Sequence, residues 1–197
     1  MKKHIFMLFR FLSGLSMNQT SKEASPIALP KGEVAKSKQS VTLDGKVIPL
    51  SAEAGTLQLK DENNKPIALY GYTAYFKDNP EKNRPIVFAY NGGPGSSSYW
   101  LHMGVMGPKR IVVDDPNYNA AAPYELTNNE FSILDVADVV MMDPVGTGLS
   151  VPIGDSKGSD FWGVDQDIRS TSLFIMQFLK EHGRLNSPKY ILGESYG

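Results

Sequence analysis

The chain has 197 residues, 20 Lys and Arg against 21 Asp and Glu, a formal net charge of −1 and 41% hydrophobic residues. This composition is globular and excludes disordered, fibrous and collagen-like chains, and the balanced charge argues against a nucleic-acid-binding surface, which needs clustered basic residues. The absence of cysteine excludes a disulfide, a thiol nucleophile and a cysteine-built zinc site, and three histidines are too few for a His-rich metal site. We therefore expect neither a metal nor a cofactor.

The first 16 residues resemble a secretory signal peptide. Two early lysines precede a mostly apolar run at 5–15, although Arg10 interrupts the run and no small-residue cleavage site is visible. We expect export to the periplasm or out of the cell. The alternative is a cytoplasmic protein, with a stray apolar N-terminus or a wrongly chosen start codon. No stretch reaches the ~20 apolar residues of a membrane-spanning helix. Residues 17–40 are polar and predict a linker.

Short extended runs follow the linker. A strand at 41–43 is followed by the tight-turn dipeptide Asp44-Gly45 and a second strand at 47–50. Further strands are predicted at 56–59, where polar and apolar residues alternate, and at 67–76 after a polar turn. Together these segments predict an antiparallel meander.

The second half of the chain predicts a parallel sheet. Continuous apolar runs at 85–90, 136–142 and 189–192 are typical of strands buried on both faces. A helix is predicted between the last two runs. Strand, helix and strand joined by short connections form a βαβ unit, which contains parallel strands.

The predicted helix lies between residues 161 and 182. Its apolar residues recur at helical spacing, at Val164, Ile168, Ile175 and Leu179. Ser159 or Asp160 is predicted to cap its start, and Gly183 fits just past its end.

Residues 193–197, Gly-Glu-Ser-Tyr-Gly, match the pattern G-x-S-x-G directly after a predicted strand. In α/β-hydrolases this pattern forms a sharp strand-to-helix turn that exposes the serine hydroxyl. Glycines are needed on both sides of the serine because neighbouring backbone crowds their Cα positions. The alternative is an ordinary Gly-Ser turn after a strand.

A glycine-rich loop at 91–98, Asn-Gly-Gly-Pro-Gly-Ser-Ser-Ser, follows the first buried strand. It lacks the Gly-Lys-Ser/Thr ending of a P-loop and does not fit G-x-G-x-x-G, so phosphate and dinucleotide binding are disfavoured. An oxyanion hole fits better, because acyl transfer needs two backbone N–H donors aimed at the developing negative charge. The N–H groups of Gly93 and Tyr196 suit this role. A turn rich in glycine for steric reasons alone is the alternative.

Three motifs in order, at 91–97, 143–150 and 193–197, resemble the serine carboxypeptidases of peptidase family S10. The resemblance extends from about residue 85 to residue 197, and more loosely over the meander, where bacterial members look similar. It implies an α/β-hydrolase fold, of which residues 41–197 would be the N-terminal portion, ending just after the nucleophile elbow. It also implies a peptide substrate with a free C-terminus, cleaved through an acyl-enzyme.

The resemblance implies a role for each motif residue. Ser195 would be the nucleophile, Gly93 and Tyr196 would form the oxyanion hole, and Asn91 and Glu194 would hold the terminal carboxylate of the substrate. Glu194 must then be protonated, because two ionised carboxylates would repel each other, and we expect activity at acid pH. The alternatives are a solvated turn residue for Glu194 and an amide that satisfies its own loop for Asn91.

The sequence departs from the better-known family members at three positions. Ala89 stands where a tryptophan is usual, Ser96 where a cysteine is usual, and Val105 where a second carboxylate-binding glutamate is usual. The first and third changes weaken carboxylate recognition. They leave an esterase or an acyltransferase on the same fold as the alternative.

The acid and base of a triad follow the serine in this fold, yet only Tyr196 and Gly197 follow Ser195. His102 and His182 precede it, and we expect His102 to pack near the site rather than act as a base. The sequence thus predicts a missing C-terminal half of the same fold as partner, and a chain that is inert and poorly folded alone. A non-catalytic fragment is the further alternative.

Overall fold

The computed structural model describes residues 28–113 and 122–197. The signal-like segment at 1–16 lies outside the described residues, as does the first part of the predicted linker. Within these two ranges, no helix combines the length and the apolar character needed to cross a membrane.

The described residues form nine strands, two α-helices and two short helical turns. The strands are β1 (Val34–Leu43), β2 (Lys46–Lys60), β3 (Pro66–Lys77), β4 (Ile86–Asn91), β5 (Lys109–Ile111), β6 (Leu126–Asn128), β7 (Asp138–Asp143), β8 (Val151–Pro152) and β9 (Lys189–Glu194). The helices are α1 (Tyr99–Leu101) and α2 (Val164–Glu181), with a π-turn at His102–Met106 and a 3₁₀ turn at Gly158–Phe161.

Seven strands form one mixed sheet in the order β1-β2-β3-β7-β4-β9, with β8 paired to β3. The first three strands are the predicted antiparallel meander, and the Asp44-Gly45 turn between β1 and β2 has positive φ at both residues, 47° and 73°. Strands β7, β4 and β9 are parallel, as the βαβ pattern predicts. A mixed sheet with few helices is consistent with an α/β-hydrolase-like fold.

The meander is longer than the sequence predicts. Strand β1 begins at Val34, so residues 34–40 of the predicted linker are part of the sheet, and they pair with β2 in unbroken register from Val34 opposite Gly55. Strand β2 is a single strand of 15 residues that contains both predicted strands, 47–50 and 56–59. The start of β1 is exposed, which is why its polar residues do not show the alternation of a half-buried strand.

The central strands are buried on both faces, as their apolar runs predict. In β4, Ile86 and Phe88 belong to the core on one face, and Val87 and Ala89 belong to the core on the other. The first core contains helix α2. The second contains α1 and the segment before β7, including Leu101 and Leu134.

Helix α2 lies in the predicted place, and of its four predicted apolar residues only Ile175 and Leu179 pack in the core. Phe174, Phe178 and Leu179 are fully buried, whereas Val164 and Ile168 are 61% and 59% exposed. Aromatic partners on the sheet explain this choice, because the Phe174 ring stacks on Tyr70 at 4.5 Å and the Phe178 ring meets Tyr72 edge-on at 5.2 Å.

The end of α2 is predicted correctly and its start is not. His182 is the C-terminal cap, and Gly183 follows with a φ of +65°. Gly163 is the N-terminal cap, with a φ of +127°. The predicted caps Ser159 and Asp160 instead belong to the separate 3₁₀ turn, where the Asp160 side chain accepts the Lys157 N–H at 2.8 Å.

The prediction that residues 189–192 form a strand buried on both faces is wrong in part. Strand β9 is present, but Tyr190 and Ile191 are 58% and 65% exposed. β9 pairs only with β4 and is the edge strand of the described sheet. An apolar run therefore identifies the strand, while its burial depends on what covers it.

A buried ionic network ties together the amino ends of the parallel strands. Asp138, at the start of β7, accepts hydrogen bonds from Arg84 Nε at 2.9 Å and Arg184 Nη1 at 2.6 Å. It also accepts the Lys77 N–H at 3.0 Å. The network lies at the opposite end of β7 from the glycine-rich loop, and its role is structural.

Candidate active site

Ser195 lies in a sharp turn that follows β9. Its φ is +61°, a left-handed conformation that is uncommon for a residue other than glycine. The residue is exposed to solvent. A Cβ on Gly193 would overlap the carbonyl group of Gly197, and one on Gly197 would lie 2.8 Å from the Tyr90 carbonyl oxygen. Both glycines are therefore required by close backbone approach, which is the geometry that G-x-S-x-G predicts.

The glycine-rich loop lies directly against this turn. It follows β4, the parallel neighbour of β9, so the two strands deliver both segments to the same edge of the sheet. A Cβ on Gly92 would overlap the Tyr196 backbone nitrogen and lie 2.7 Å from the Tyr196 Cα. The structure thus brings Tyr196 against Gly92, the residue before Gly93, across a backbone contact that only glycine permits.

Asn91 and Glu194, the two predicted carboxylate ligands, are hydrogen-bonded to each other. They are register partners at the ends of β4 and β9, and Asn91 Nδ2 donates to Glu194 Oε2 at 3.1 Å. The Asn91 Oδ1 accepts the Leu101 N–H at 3.0 Å, which fixes the orientation of its amide. Asn91 is 3% exposed and Glu194 is exposed. Asn91 therefore satisfies its own loop and also faces the elbow.

A cavity of about 560 Å³ lies beside the elbow and the glycine-rich loop. Its wall is mainly apolar and includes Trp162, Ile191 and the α2 residues Val164 and Ile168, which line the cavity instead of packing on the sheet. Its polar groups include Asp167, whose Oδ2 accepts a hydrogen bond from the Tyr196 hydroxyl at 3.1 Å. Burial raises the pKa of Asp167, and the Tyr196 bond opposes that rise.

Sequence reasoning missed Asp143 and Ser98, which join the second motif to the glycine-rich loop. The Ser98 N–H donates to Asp143 Oδ1 at 2.9 Å, and the Ser98 hydroxyl donates to the Met142 carbonyl oxygen. Burial raises the pKa of Asp143, and hydrogen bonds from the N–H groups of Ser98 and Leu149 oppose that rise. The available signal was the position of Asp143, at the end of a buried strand and at the head of a motif.

The two histidines of the described ranges have partners of their own. His102 Nε2 lies 2.6 Å from the Tyr75 hydroxyl, and burial lowers the pKa of His102, in agreement with its predicted packing role. His182 stacks on Phe178 at 3.9 Å and its Nε2 lies 3.0 Å from Glu53 Oε2. Among the residues that the structure describes, no cluster of His, Asp and Glu could hold a metal ion.

The serine carboxypeptidase family model, Peptidase S10, matches residues 43–197. The chain therefore belongs to the serine carboxypeptidase family. It is 29% identical to serine carboxypeptidase-like 10 of Arabidopsis thaliana over 159 residues, which cover 78% of this chain and 33% of that protein. It is 32% identical to the pheromone-processing carboxypeptidase KEX1 of Clavispora lusitaniae over 149 residues, 73% of this chain and 20% of that protein.

A third relative is the carboxypeptidase Y homolog A of Phaeosphaeria nodorum, 32% identical over 137 residues, 69% of this chain and 23% of that protein. The chain thus spans a fifth to a third of the length of these relatives. They come from a plant and from fungi, so the expected likeness to bacterial members has no support here, whereas the expected family is confirmed.

Proposed function

We propose that this chain carries the nucleophile, the oxyanion hole and the carboxylate-binding pair of a serine carboxypeptidase. The reaction is hydrolysis of the C-terminal peptide bond through an acyl-enzyme at Ser195. The observation that carries this proposal is the 3.1 Å hydrogen bond between Asn91 and Glu194, one residue before a serine held at a φ of +61°. This contact supports a carboxylate-recognition pair beside the proposed nucleophile.

The reaction has two steps, acylation of Ser195 and hydrolysis of the acyl-enzyme. The Ser195 hydroxyl attacks the carbonyl carbon, the hydroxyl proton passes to a base, and the N–H groups of Gly93 and Tyr196 stabilise the oxyanion. Collapse of the tetrahedral intermediate breaks the C–N bond, and the C-terminal amino acid leaves with a proton returned by the base. Water then attacks the ester and releases the shortened peptide.

The base is neither His102 nor His182, because each already has a hydrogen-bond partner away from the elbow, Tyr75 for the first and Glu53 for the second. The chain spans only a fifth to a third of the relatives described above. The acid and the base of the triad therefore come from a further segment of the same fold.

Asn91 and Glu194 bind the substrate's terminal carboxylate. The Asn91 amide has its oxygen engaged by Leu101, so its Nδ2 side faces Glu194 and the substrate. Glu194 donates a hydrogen bond to the substrate only when it is protonated, and activity on free-acid peptides consequently falls as the pH rises.

The proposal is tested with the protein expressed from its full reading frame. A fluorophosphonate probe is expected to label it, and Ser195→Ala is expected to remove the label. A blocked dipeptide with a free C-terminus is expected to be cleaved in preference to the same dipeptide as an amide. Labelling that survives Ser195→Ala would exclude Ser195 as the nucleophile.

A second candidate is an esterase or acyltransferase on the same fold. Ala89 is fully buried and Val105 is 52% exposed, and neither side chain offers a hydrogen-bond donor where well-known members have a tryptophan and a glutamate. This candidate predicts faster turnover of the dipeptide methyl ester than of the free acid, with no advantage at acid pH.

Export is part of the same proposal. The first 16 residues have the charge and apolar pattern of a signal peptide. N-terminal sequencing of the protein recovered from its natural host tests this point. A start at Met1 would contradict cleavage of a signal peptide.

A further inference from the structure

We propose that Asp143 is a positioning residue that holds the glycine-rich loop in register with the nucleophile elbow. This inference rests on the proposed function of Ser195 and adds a residue to it. Asp143 ends β7, the strand that pairs with β4 on the side away from β9. The carboxyl ends of all three parallel strands lie at one edge of the sheet, where each leads into one of the three motifs.

The Asp143 carboxylate accepts backbone N–H groups from two loops that are far apart in sequence. The Ser98 N–H donates to Oδ1 at 2.9 Å, and the Leu149 N–H donates to the same side chain. Gly148 leaves room for the second oxygen, because a Cβ there would overlap Asp143 Oδ2. Asp143 thus links the glycine-rich loop to the loop that follows β7 through hydrogen bonds to both.

The carboxylate has no charged partner among residues 28–113 and 122–197, where no Lys, Arg or His forms an ion pair with Asp143. Burying such a group is unfavourable unless hydrogen bonds compensate for the lost water. The two backbone N–H groups supply that compensation, and an apolar side chain of the same size would leave both of them without an acceptor.

From Ser98 a continuous chain of hydrogen bonds leads to the elbow. The Asn91 N–H donates to the Ser98 hydroxyl oxygen at 3.3 Å, and Asn91 Nδ2 donates to Glu194 Oε2 at 3.1 Å. Gly93, the proposed oxyanion donor, lies between Asn91 and Ser98 in the sequence. A shift of Ser98 therefore moves the loop that carries Gly93 relative to Tyr196.

Ser150, the last residue of the second motif, supports the same arrangement. The Ser150 hydroxyl donates to the Asp143 carbonyl oxygen at 2.5 Å and accepts the Gly71 N–H at 2.6 Å, which fixes the end of β7 to β3. The side chains of Asp143 and Ser150 thus both bind backbone groups. The second motif thus positions the glycine-rich loop through hydrogen bonds and supplies no reacting group.

The test compares Asp143→Asn with Asp138→Asn in the protein expressed from its full reading frame. The two carboxylates stand at opposite ends of β7, and both substitutions exchange one oxygen for an NH₂ group. In Asp143→Asn, that NH₂ group faces a backbone N–H and displaces one of the two loops. Turnover is measured on a free-acid dipeptide and on its methyl ester, together with the unfolding temperature.

We expect Asp143→Asn to lower kcat about tenfold or more on both substrates with little change in KM for the ester, since loss of one oxyanion donor costs ~10²–10³ in kcat. Asp138→Asn is expected to lower the unfolding temperature and to leave kcat unchanged below that temperature. Unchanged kcat in Asp143→Asn, or a fall on the free acid alone, would overturn the proposal. Loss of the proposed function is recognised separately, because it appears as labelling that survives Ser195→Ala.

A second variant keeps the test decisive if Asp143→Asn does not fold. Gly148→Ala places a methyl group against Asp143 Oδ2 and keeps the carboxylate itself, and Gly45→Ala is its control, with a similar positive φ and open space around the Cβ. Gly148→Ala is expected to lower kcat as Asp143→Asn does, and the double variant is expected to be no slower than the worse single variant. Equal kcat in Gly148→Ala and Gly45→Ala would overturn the proposal.

Discussion

Removal of one charge from the buried network at the amino ends of the parallel strands is expected to destabilise the fold strongly. Asp138 is 1% exposed and receives hydrogen bonds from two arginines and one backbone N–H. In Asp138→Asn one oxygen remains, and the new NH₂ group must face an arginine donor. The positive charge of Arg84, which is 4% exposed, then loses its buried partner and keeps only Glu81, whose side chain is 60% exposed.

The size of the effect follows from this burial. Breaking a buried ion pair by neutralising one member costs ~3–5 kcal/mol, because the remaining charge stays desolvated. For a domain of this size each kcal/mol lowers the unfolding temperature by ~2–4 °C. Asp138→Asn is therefore expected to lower the unfolding temperature by about 6–20 °C.

Thermal unfolding followed by circular dichroism measures this change, and the chain offers a matched control. Asp155 forms an ion pair with Lys65 at 2.7 Å, but its side chain is 87% exposed. Water and salt screen such a pair, so Asp155→Asn is expected to leave the unfolding temperature unchanged. Equal unfolding temperatures for the two variants would refute the argument, since burial would then give the network no advantage over a surface pair.

Three further substitutions test the site and its surroundings. Glu194→Gln is expected to remove the fall in activity on free-acid dipeptides as the pH rises, and an unchanged pH–rate profile would contradict carboxylate binding by Glu194. Gly92→Ala is expected to abolish fluorophosphonate labelling, because its Cβ would overlap the Tyr196 backbone nitrogen; normal labelling would mean that the loop and the elbow are not in contact. Burial raises the pKa of Glu53, but hydrogen bonds from Lys36 and His182 outweigh burial and hold that pKa below its usual range. Ionised Glu53 therefore stabilises the fold above the usual glutamate pKa of ~4.3, and this stabilisation is lost as the pH falls further. Glu53→Gln is expected to lower the free energy of unfolding at pH 7 and to reduce its dependence on pH in acid. Urea unfolding at several pH values measures both effects.

The sequence predicts the parallel strands well because their burial leaves a direct signal. β4 and β7 are covered on both faces, and their residues are apolar in unbroken runs. The exposed start of β1 carries no such signal, since polar residues are tolerated wherever only the backbone pairs. The burial of β9 could not be predicted, because it depends on what lies beyond the strand and not on the strand itself.

The same distinction applies to the candidate site. The order of the motifs predicts that Asn91, Gly93, Glu194, Ser195 and Tyr196 act together, and the structure brings them to one edge of the sheet. The position of Asp143 at the head of a motif marks it as a candidate, but its contacts could not be predicted, because its side chain binds backbone N–H groups. Such contacts depend on loop geometry and leave no pattern of residue types. The buried face of α2 likewise depends on its aromatic partners Tyr70 and Tyr72, which lie on the sheet and not in the helix.

The topology explains why three motifs some 50 residues apart in sequence meet at one place. β7, β4 and β9 are adjacent and parallel, so their carboxyl ends lie side by side although the chain visits them in the order β4, β7, β9. In open α/β sheets the carboxyl edge is the usual location of a binding site. Here the chain crosses from β4 to β7 on one side and then to β9 on the other, which leaves the β4 loop between the other two motifs. The glycine-rich loop is thus held from both sides, by Asp143 at Ser98 on one side and by Glu194 at Asn91 and Tyr196 at Gly92 on the other.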